Sequence, residues 1–377
     1  MIKVVTVNVK HYKDLIYLLI AAAVFLFSII IYTQFSSKSL ERVMRNIEIN
    51  ELLTYFISSA NHSFAPDSDP FTFENVTDAL FSLATNVKPT DARTFLGTEL
   101  PGLVYFDTEI VVAGEGTDLS TLPFESAPPA EVLMNEREVA EEKLQQPVAD
   151  KPAQPAKKPE KTDVLIYHSH NMEAFLPLLK NTKDANKAVT SDERANVVGL
   201  GSKLSDALLQ KGIGASQDKT NINKELLKRE WTYSSSYKVS NEVVHASAEA
   251  NPNLKYFIDI HRDSARKDKT TATINGKTYA RLYFIVGKEN KNYQANLEYT
   301  KKLNAKVEEK YPGLSRGVFL KTKLEGNGVY NQDISNRAIL VELGGVDNNL
   351  EELHRTVDAL SEAFADIYWD ENGGSKE

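Results

Sequence analysis

The chain has 377 residues, 42% of them hydrophobic, enough for one large core and smaller parts beside it. Its formal net charge of -8 gives no support to nucleic-acid binding, which needs clustered Lys and Arg on one face. There is no cysteine, so any metal site must be built from nitrogen and oxygen ligands.

In chain order, Leu15 to Tyr32 is an apolar run interrupted only by Tyr17, Ser28 and Tyr32. As a helix it is roughly 27 Å long, close to the hydrocarbon thickness of a bilayer. We therefore expect a single transmembrane helix over residues 15–35, after a short cytoplasmic N-terminus, 1–14. Lys3, Lys10 and Lys13 place the N-terminus inside and the rest of the chain outside the cytoplasm, although Lys38, Arg42 and Arg45 on the far side weaken that bias. The run exceeds the usual signal-peptide core of about 7–15 residues, and no Ala-x-Ala site follows, which favours an uncleaved anchor.

Residues 36–125 read as a small juxtamembrane module. Leu40, Val43, Ile47, Leu52 and Phe56 recur at helical spacing, Val76 to Ala84 continues the helical pattern, and Leu103 to Val112 is strand-like. Residues 126–162 then carry Pro128, Pro129, Pro147, Pro152, Pro155 and Pro159 among Ala, Lys, Glu and Gln. Such a composition buries little apolar surface and predicts a mostly disordered spacer, with a short helix allowed over Glu131 to Leu144.

From Asp163 to the C-terminus, apolar strands alternate with helices. The fold class this predicts is α/β, a largely parallel sheet flanked by helices. Strands are expected at 163–168, 213–217, 255–260, 281–287 and 338–342, and helices near 191–211, 235–250, 291–311 and 349–368. Thr190-x-x-Glu193 reads as a capping box for the first helix, and Gly212 marks its end. Asn275-Gly276 turns a hairpin over 271–280, which can project near the site.

Three of these strands end in chemistry. The first runs into His168 and His170, the third into His261-Arg262-Asp263, and the fifth into Glu342-Leu-Gly-Gly. The i, i+2 spacing lets His168 and His170 grip one metal ion together or stand on either side of one site. Carboxyl ends of parallel strands border a common crevice, where ligands bind. Two imidazoles plus a carboxylate suit zinc with an open fourth position, and a remaining glutamate would serve as general base and acid. Asp259, between Ile258 and Ile260, either faces the site or orients a ligand histidine. His62, His245 and His354 lie in polar or helical contexts and are assigned to surface or packing.

Four ordered motifs carry a family resemblance: His168-Ser-His-Asn-Met-Glu173-Ala-Phe, Asp259-Ile-His-Arg-Asp-Ser264, Asn331-Gln-Asp-Ile-Ser-Asn-Arg337, and Val341-Glu-Leu-Gly-Gly-x-x-Asn348. Together with Glu99-Leu-Pro-Gly102 and the apolar N-terminal run, they resemble the stage II sporulation protein P family from about residue 15 onward. The resemblance implies an amidase-like catalytic domain over 163–377 and a membrane-anchored, zinc-dependent N-acetylmuramoyl-L-alanine amidase. Such an enzyme cuts the amide between muramic acid and the stem peptide, and members are also described as endopeptidases. By resemblance, His170 and His261 would bind Zn2+ and Glu342 would be the catalytic base. Glu173 is the favoured carboxylate ligand, with Asp192 and Glu193 as alternatives. Arg262 and Asn336 would position substrate or serve a structural role, and His168 would position substrate or lie behind the metal ligands. The implied role is degradation of septal peptidoglycan during sporulation engulfment, at a membrane of the forespore septum, with stage II sporulation proteins D and M as partners. A catalytically weak wall-binding scaffold of the same fold is the alternative.

Overall fold

The structure is a computed structural model that describes residues 109–118, 121, 128, 130–144, 159–323 and 326–373. The chain divides into two compact units, Met1–Leu103 and Val104–Glu377, and every described residue belongs to the second. The expected membrane span, most of the juxtamembrane module and Glu99-Leu-Pro-Gly102 lie outside the described residues, among which no helix is long and apolar enough to cross a membrane.

The described elements are, in order, β1 (Glu109–Ala113), α1 (Ala130–Met134), α2 (Glu141–Leu144), β2 (Val164–Tyr167), α3 (Val197–Gln210), β3 (Ala215–Gln217), α4 (Ile222–Lys228), α5 (Ser236–Ala250), β4 (Tyr256–Asp263), α6 (Lys267–Thr270), β5 (Thr271–Ile274), β6 (Lys277–Ala280), β7 (Leu282–Gly287), α7 (Tyr293–Lys310), β8 (Ser315–Lys321), β9 (Arg337–Gly345) and α8 (Leu350–Asn372). Seven strands form one sheet in the order β1-β8-β7-β9-β4-β2-β3.

This sheet corrects the expectation of a largely parallel one. β3, β2, β4 and β9 run parallel to their neighbours, as do β7 and β8, but β7 is antiparallel to β9 and β1 is antiparallel to β8. The reason lies in the connections. A parallel return needs a crossover of a dozen or more residues, usually a helix that packs on the sheet. The β2–β3 link carries α3 and the β7–β8 link carries α7, whereas β4 reaches β7 through one helical turn and the β5–β6 hairpin, and β8 reaches β9 through a loop. The sheet is therefore mixed, with helices on both faces.

Side-chain alternation sorts the strands into two faces. Val164, Ile166, Ile258, Ile260, Phe284, Val318, Ile339 and Val341 point into the main core, where they meet Leu204 and Leu208 of α3, Leu303 and Val307 of α7, and Leu360 and Phe364 of α8. Burying each of these side chains contributes about 1.5–3 kcal/mol before conformational entropy is counted. The opposite face carries Leu165, Tyr167 and Phe257 under Val244 of α5, and Tyr283, Ile285, Phe319 and Leu340 near Tyr237 and Tyr330. That second face also bears the polar residues of the site.

Local signals hold with two differences. Gly212 takes the left-handed backbone beyond α3, and Asn275 and Gly276 turn the hairpin with φ of 51° and 75°. The hairpin packs into the main core through Ile274 and Ala280, on the face away from the site, because its apolar residues need that cover. The expected capping box at Thr190 is absent: α3 starts seven residues later, capped by the Asn196 side chain, which accepts the Val198 N–H at 2.9 Å. Part of the proline-rich segment is seated on the domain. Leu133 packs with Met172 and Val189, and the Ala140 N–H donates to the Leu178 carbonyl at 2.9 Å.

A β-bulge lies between the register pair His261–Glu342 and the next pair, Asp263–Gly345, of β4 and β9. Gly344, at φ 73°, absorbs the extra residue, and a Cβ there would lie 2.8 Å from Leu353 Cδ2. Asn348 accepts the Gly345 N–H at 2.8 Å and donates to Thr271 and Glu352, so the last sequence motif fixes the strand end beside Glu342. The α8 N-terminus is closed by a true capping box between Asn349 and Glu352. Asn349→Ala should lower stability by ~1 kcal/mol, read from the urea unfolding midpoint, with an unchanged denaturant slope.

Candidate metal centre

Three side chains converge at the carboxyl ends of β2 and β4. His170, Glu173 and His261 are all buried, and one ligand atom from each lies within 4.8 Å of the others. Glu173 sits between the imidazoles, its Oε1 3.7 Å from His170 Nδ1 and its Oε2 3.6 Å from His261 Nδ1. Ligands about 2.1 Å from a tetrahedral zinc ion are separated by roughly 3.4 Å, so the spacing fits such an ion with little movement.

Each ligand is held from behind. β4 is buried along its whole length, and its alternation points Asp259 and His261 away from the main core. Asp259 Oδ1 lies 3.1 Å from His261 Nε2, which turns Nδ1 toward Glu173. The same carboxylate accepts the Ser169 N–H at 2.9 Å and the Ser169 hydroxyl at 2.6 Å, fixing the turn that carries His170. The Ser169 hydroxyl lies 2.7 Å from that of Ser240 on α5, which accepts from Asn331 Nδ2 at 2.8 Å. Tyr330 and Asn331 both hold left-handed backbone, which Asn adopts readily but a bulky Tyr adopts only where the surroundings impose it. The ring of Tyr237 lies 5.3 Å from that of His170, stacks on His261 at 6.1 Å and meets Tyr330 edge-on at 5.3 Å.

The electrostatics follow from burying several charges together. Burial opposes charge on His261, but Asp259, its contact with Nε2, Glu173 and Glu342 overcome that and raise its pKa to about 10. Burial likewise opposes charge on Glu173, yet His170, His261 and Arg262 hold its carboxyl at about 2. Without a cation, this cluster stays ionised only by protonating an imidazole. A divalent ion would replace that proton, and the donor set of two nitrogens and a carboxylate suits zinc.

Glu342 occupies the next strand. It is the register partner of His261 on β4 and of Tyr283 on β7, on the same sheet face as His261. It is 4% exposed, and among the described residues its Oε2 has no hydrogen-bond partner. Burial raises its carboxyl well above the ordinary glutamate range; His261 and Lys321 oppose the rise, while Glu173 and Asp263 add to it. A carboxyl that can hold a proton beside an open metal position has the properties of a general acid and base.

The remaining sequence candidates are placed differently. His168 does not share a site with His170, because β2 ends at Tyr167 and the chain turns. Its ring continues the alternation toward α3, with Nδ1 3.3 Å from the Ile260 carbonyl and Nε2 2.9 Å from Gln217 Nε2. Burial lowers its pKa to about 4. A Cβ at Gly201 would lie 2.6 Å from the same ring, so His168 is packed against the helix. Arg262 donates through Nε to the Ala174 carbonyl at 3.0 Å and through Nη2 to Ala188 at 3.3 Å, while its N–H donates to Glu173 at 3.0 Å. It stitches the Glu173 loop to β4. Asn336 is exposed at the opposite end of β9, six residues or roughly 20 Å of strand from Glu342. Asp192 pairs with Arg194 and Glu193 with Lys219, both away from the cluster. Sequence reasoning missed Ser169, Tyr237, Ser240 and Asn331; the motif beginning at Asn331 held the signal for the last.

With the site described, its relatives can be compared. The family model described as Stage II sporulation protein P matches residues 90–365. Stage II sporulation protein P of Bacillus subtilis (strain 168) is 46% identical over 326 residues, which cover 85% of this chain and 81% of that protein. Among solved structures, Cwp6 from Clostridium difficile superposes with a TM-score of 0.31 and 12% identity over 54% of this chain and 29% of that one, a likeness too slight to bear on the fold. The chain belongs to the stage II sporulation protein P family.

Proposed function

We propose that this sporulation-related protein is a zinc-dependent peptidoglycan hydrolase that cleaves the amide between N-acetylmuramic acid and the stem peptide. The observation that carries the reading is the buried triangle of His170, Glu173 and His261 with Glu342 in register beside His261. Its supports are the donor set, the orienting carboxylate of Asp259 and the raised pKa of Glu342. Family membership supports a role on septal peptidoglycan, outside the cytoplasm, with stage II sporulation proteins D and M as proposed partners.

His170, Glu173 and His261 would hold the ion and leave one position open. Zinc bound there polarises a carbonyl and acidifies water. Glu342 removes a proton from the attacking water as the oxygen bonds to the amide carbon. It then gives that proton to the departing nitrogen as the C–N bond breaks, leaving a carboxylic acid and a free amine. Asp259 keeps the His261 ring oriented, and Ser169 keeps Asp259 in place. Tyr237 packs against the rings of His170 and His261 and meets Tyr330 edge-on, so the two tyrosines wall the site on one side.

Three outcomes are expected. Glu342→Gln should retain zinc and lose hydrolysis of purified sacculi by about 100-fold or more, read by mass spectrometry of released fragments; undiminished release would remove Glu342 from the reaction. His170→Ala, His261→Ala and Glu173→Ala should each lose stoichiometric zinc by elemental analysis, whereas His168→Ala keeps it and loses ~1–3 kcal/mol of stability. The rate should depend on the ionised form of Glu342. As pH falls through its raised pKa the base is lost, so the acid limb of kcat/KM should lie above the ordinary glutamate value near 4.3. A limb at or below pH 4 would contradict the assignment.

A further inference from the structure

Two of the three candidate ligands, His170 and Glu173, lie on the connection between β2 and α3 and not on a strand. Its only regular elements are two single helical turns, Leu176–Leu178 and Ala185–Lys187. A connection of that length holds a ligand in place only where other segments brace it. Arg262 and the contact of Ser169 with Asp259 are two such braces. A third comes from far earlier in the chain, from residues 133–141 of the proline-rich segment.

Its path to the metal group can be followed bond by bond. Glu173 pairs antiparallel with Val189, through the Thr190 N–H donating to the Met172 carbonyl at 3.1 Å and the Ala174 N–H donating to the Ala188 carbonyl at 3.0 Å. Val189 turns its own carbonyl the other way, where it accepts the Arg137 N–H at 2.9 Å, and the Glu136 carboxylate accepts the neighbouring Ser191 N–H. Leu133 is buried against Val189 and against Met172, which lies between the two ligands in sequence. Tyr233 packs on the same cluster, and its ring lies 4.5 Å from that of His170. Farther along, Val139 pairs with Leu179, and Glu141 accepts both Nη groups of Arg194 at 2.9 and 2.8 Å. The last pair is exposed and contributes little; the directional backbone bond and the burial of Leu133 carry the docking.

We propose that residues 133–141 position Glu173 for the metal ion: docked on Val189 and Met172, they hold the 172–174 stretch so that its carboxylate stays between His170 and His261. Leu133 and Glu136 are positioning residues, acting through Val189, Met172 and Ser191. This rests on the metal-hydrolase reading and adds what sets the affinity of the same site for its ion.

The test uses the full chain. Leu133→Ala combined with Glu136→Ala should weaken zinc binding by about 10-fold or more, read by competition with a chromophoric chelator, as expected when the support behind a ligand is removed. In the metal-free protein the Ala174 and Thr190 amides should exchange with deuterium faster, while those of α8 keep their protection. Because the chain has no cysteine, a single disulfide can pin the segment. Val139→Cys with Leu179→Cys replaces an antiparallel pair with the close Cα spacing, about 4.5 Å, that such a bond accepts. Oxidising it in the Leu133→Ala, Glu136→Ala background should recover most of the lost zinc affinity, and reduction should remove it again. Unchanged zinc affinity and unchanged exchange in the double variant overturn the proposal. So does an oxidised pair in the otherwise native chain that abolishes hydrolysis until it is reduced while zinc stays bound, since the segment would then be a cover over the site. If the native chain binds no zinc, the metal reading falls alone, and the exchange of Ala174 and Thr190 decides whether the segment holds Glu173.

Discussion

The parallel pairing of β4 with β9 is the interaction on which the rest of the molecule depends. It sets His261 opposite Glu342, so one strand delivers a histidine of the candidate metal group and the next delivers a carboxyl to the same face. Both strands lie inside the sheet, between β2 and β7, and their other faces are committed to the main core through Ile258, Ile260, Ile339 and Val341. A slip of one residue would send every side chain of the shifted strand to the wrong face. Core packing and site register are thus one constraint.

Burial of opposing charges is the second constraint. Asp259, Glu173 and Glu342 surround His261 in a space nearly closed to solvent. A cluster this acidic is balanced by protons or by a cation, and the same low exposure that raises the Glu342 carboxyl strengthens its hold on a proton. The hydrogen bonds from Ser169 to Asp259, and the contacts that run from Ser169 through Ser240 to Asn331, tie three separate segments to one carboxylate. Rigidity at the site comes from this network, with α5 and the 330–331 turn as its outer members.

Much of the fold was legible because the strands are short apolar runs bounded by turn residues, and the helices carry a clear apolar stripe. The Asn275-Gly276 hairpin and the end of α3 at Gly212 could be read from local conformation alone. Strand direction could not. Whether β7 runs with or against β9 depends on what bridges β4 to β7, and a hairpin there looks like any other pair of short polar-edged strands until its packing is known. The i, i+2 argument for His168 and His170 failed for a related reason: His168 still follows the alternation of β2, but the chain turns directly after it and His170 does not. Arg262 and Asn336 looked alike as polar residues in motifs, but one is a buried brace and the other is exposed at the far strand end.

The sequence by itself determined the α/β class of the C-terminal domain, the residue types at the ends of three strands, and the family. These are local or additive properties, carried by periodicity and by side chains close together in the chain. Only the tertiary structure decided that Glu173 stands between His170 and His261, that Asp192 and Glu193 do not, that His168 packs against α3, and that Lys321 lies buried within electrostatic reach of Glu342. Those facts depend on contacts between residues tens to hundreds of positions apart, and such contacts are fixed by strand order, register and face.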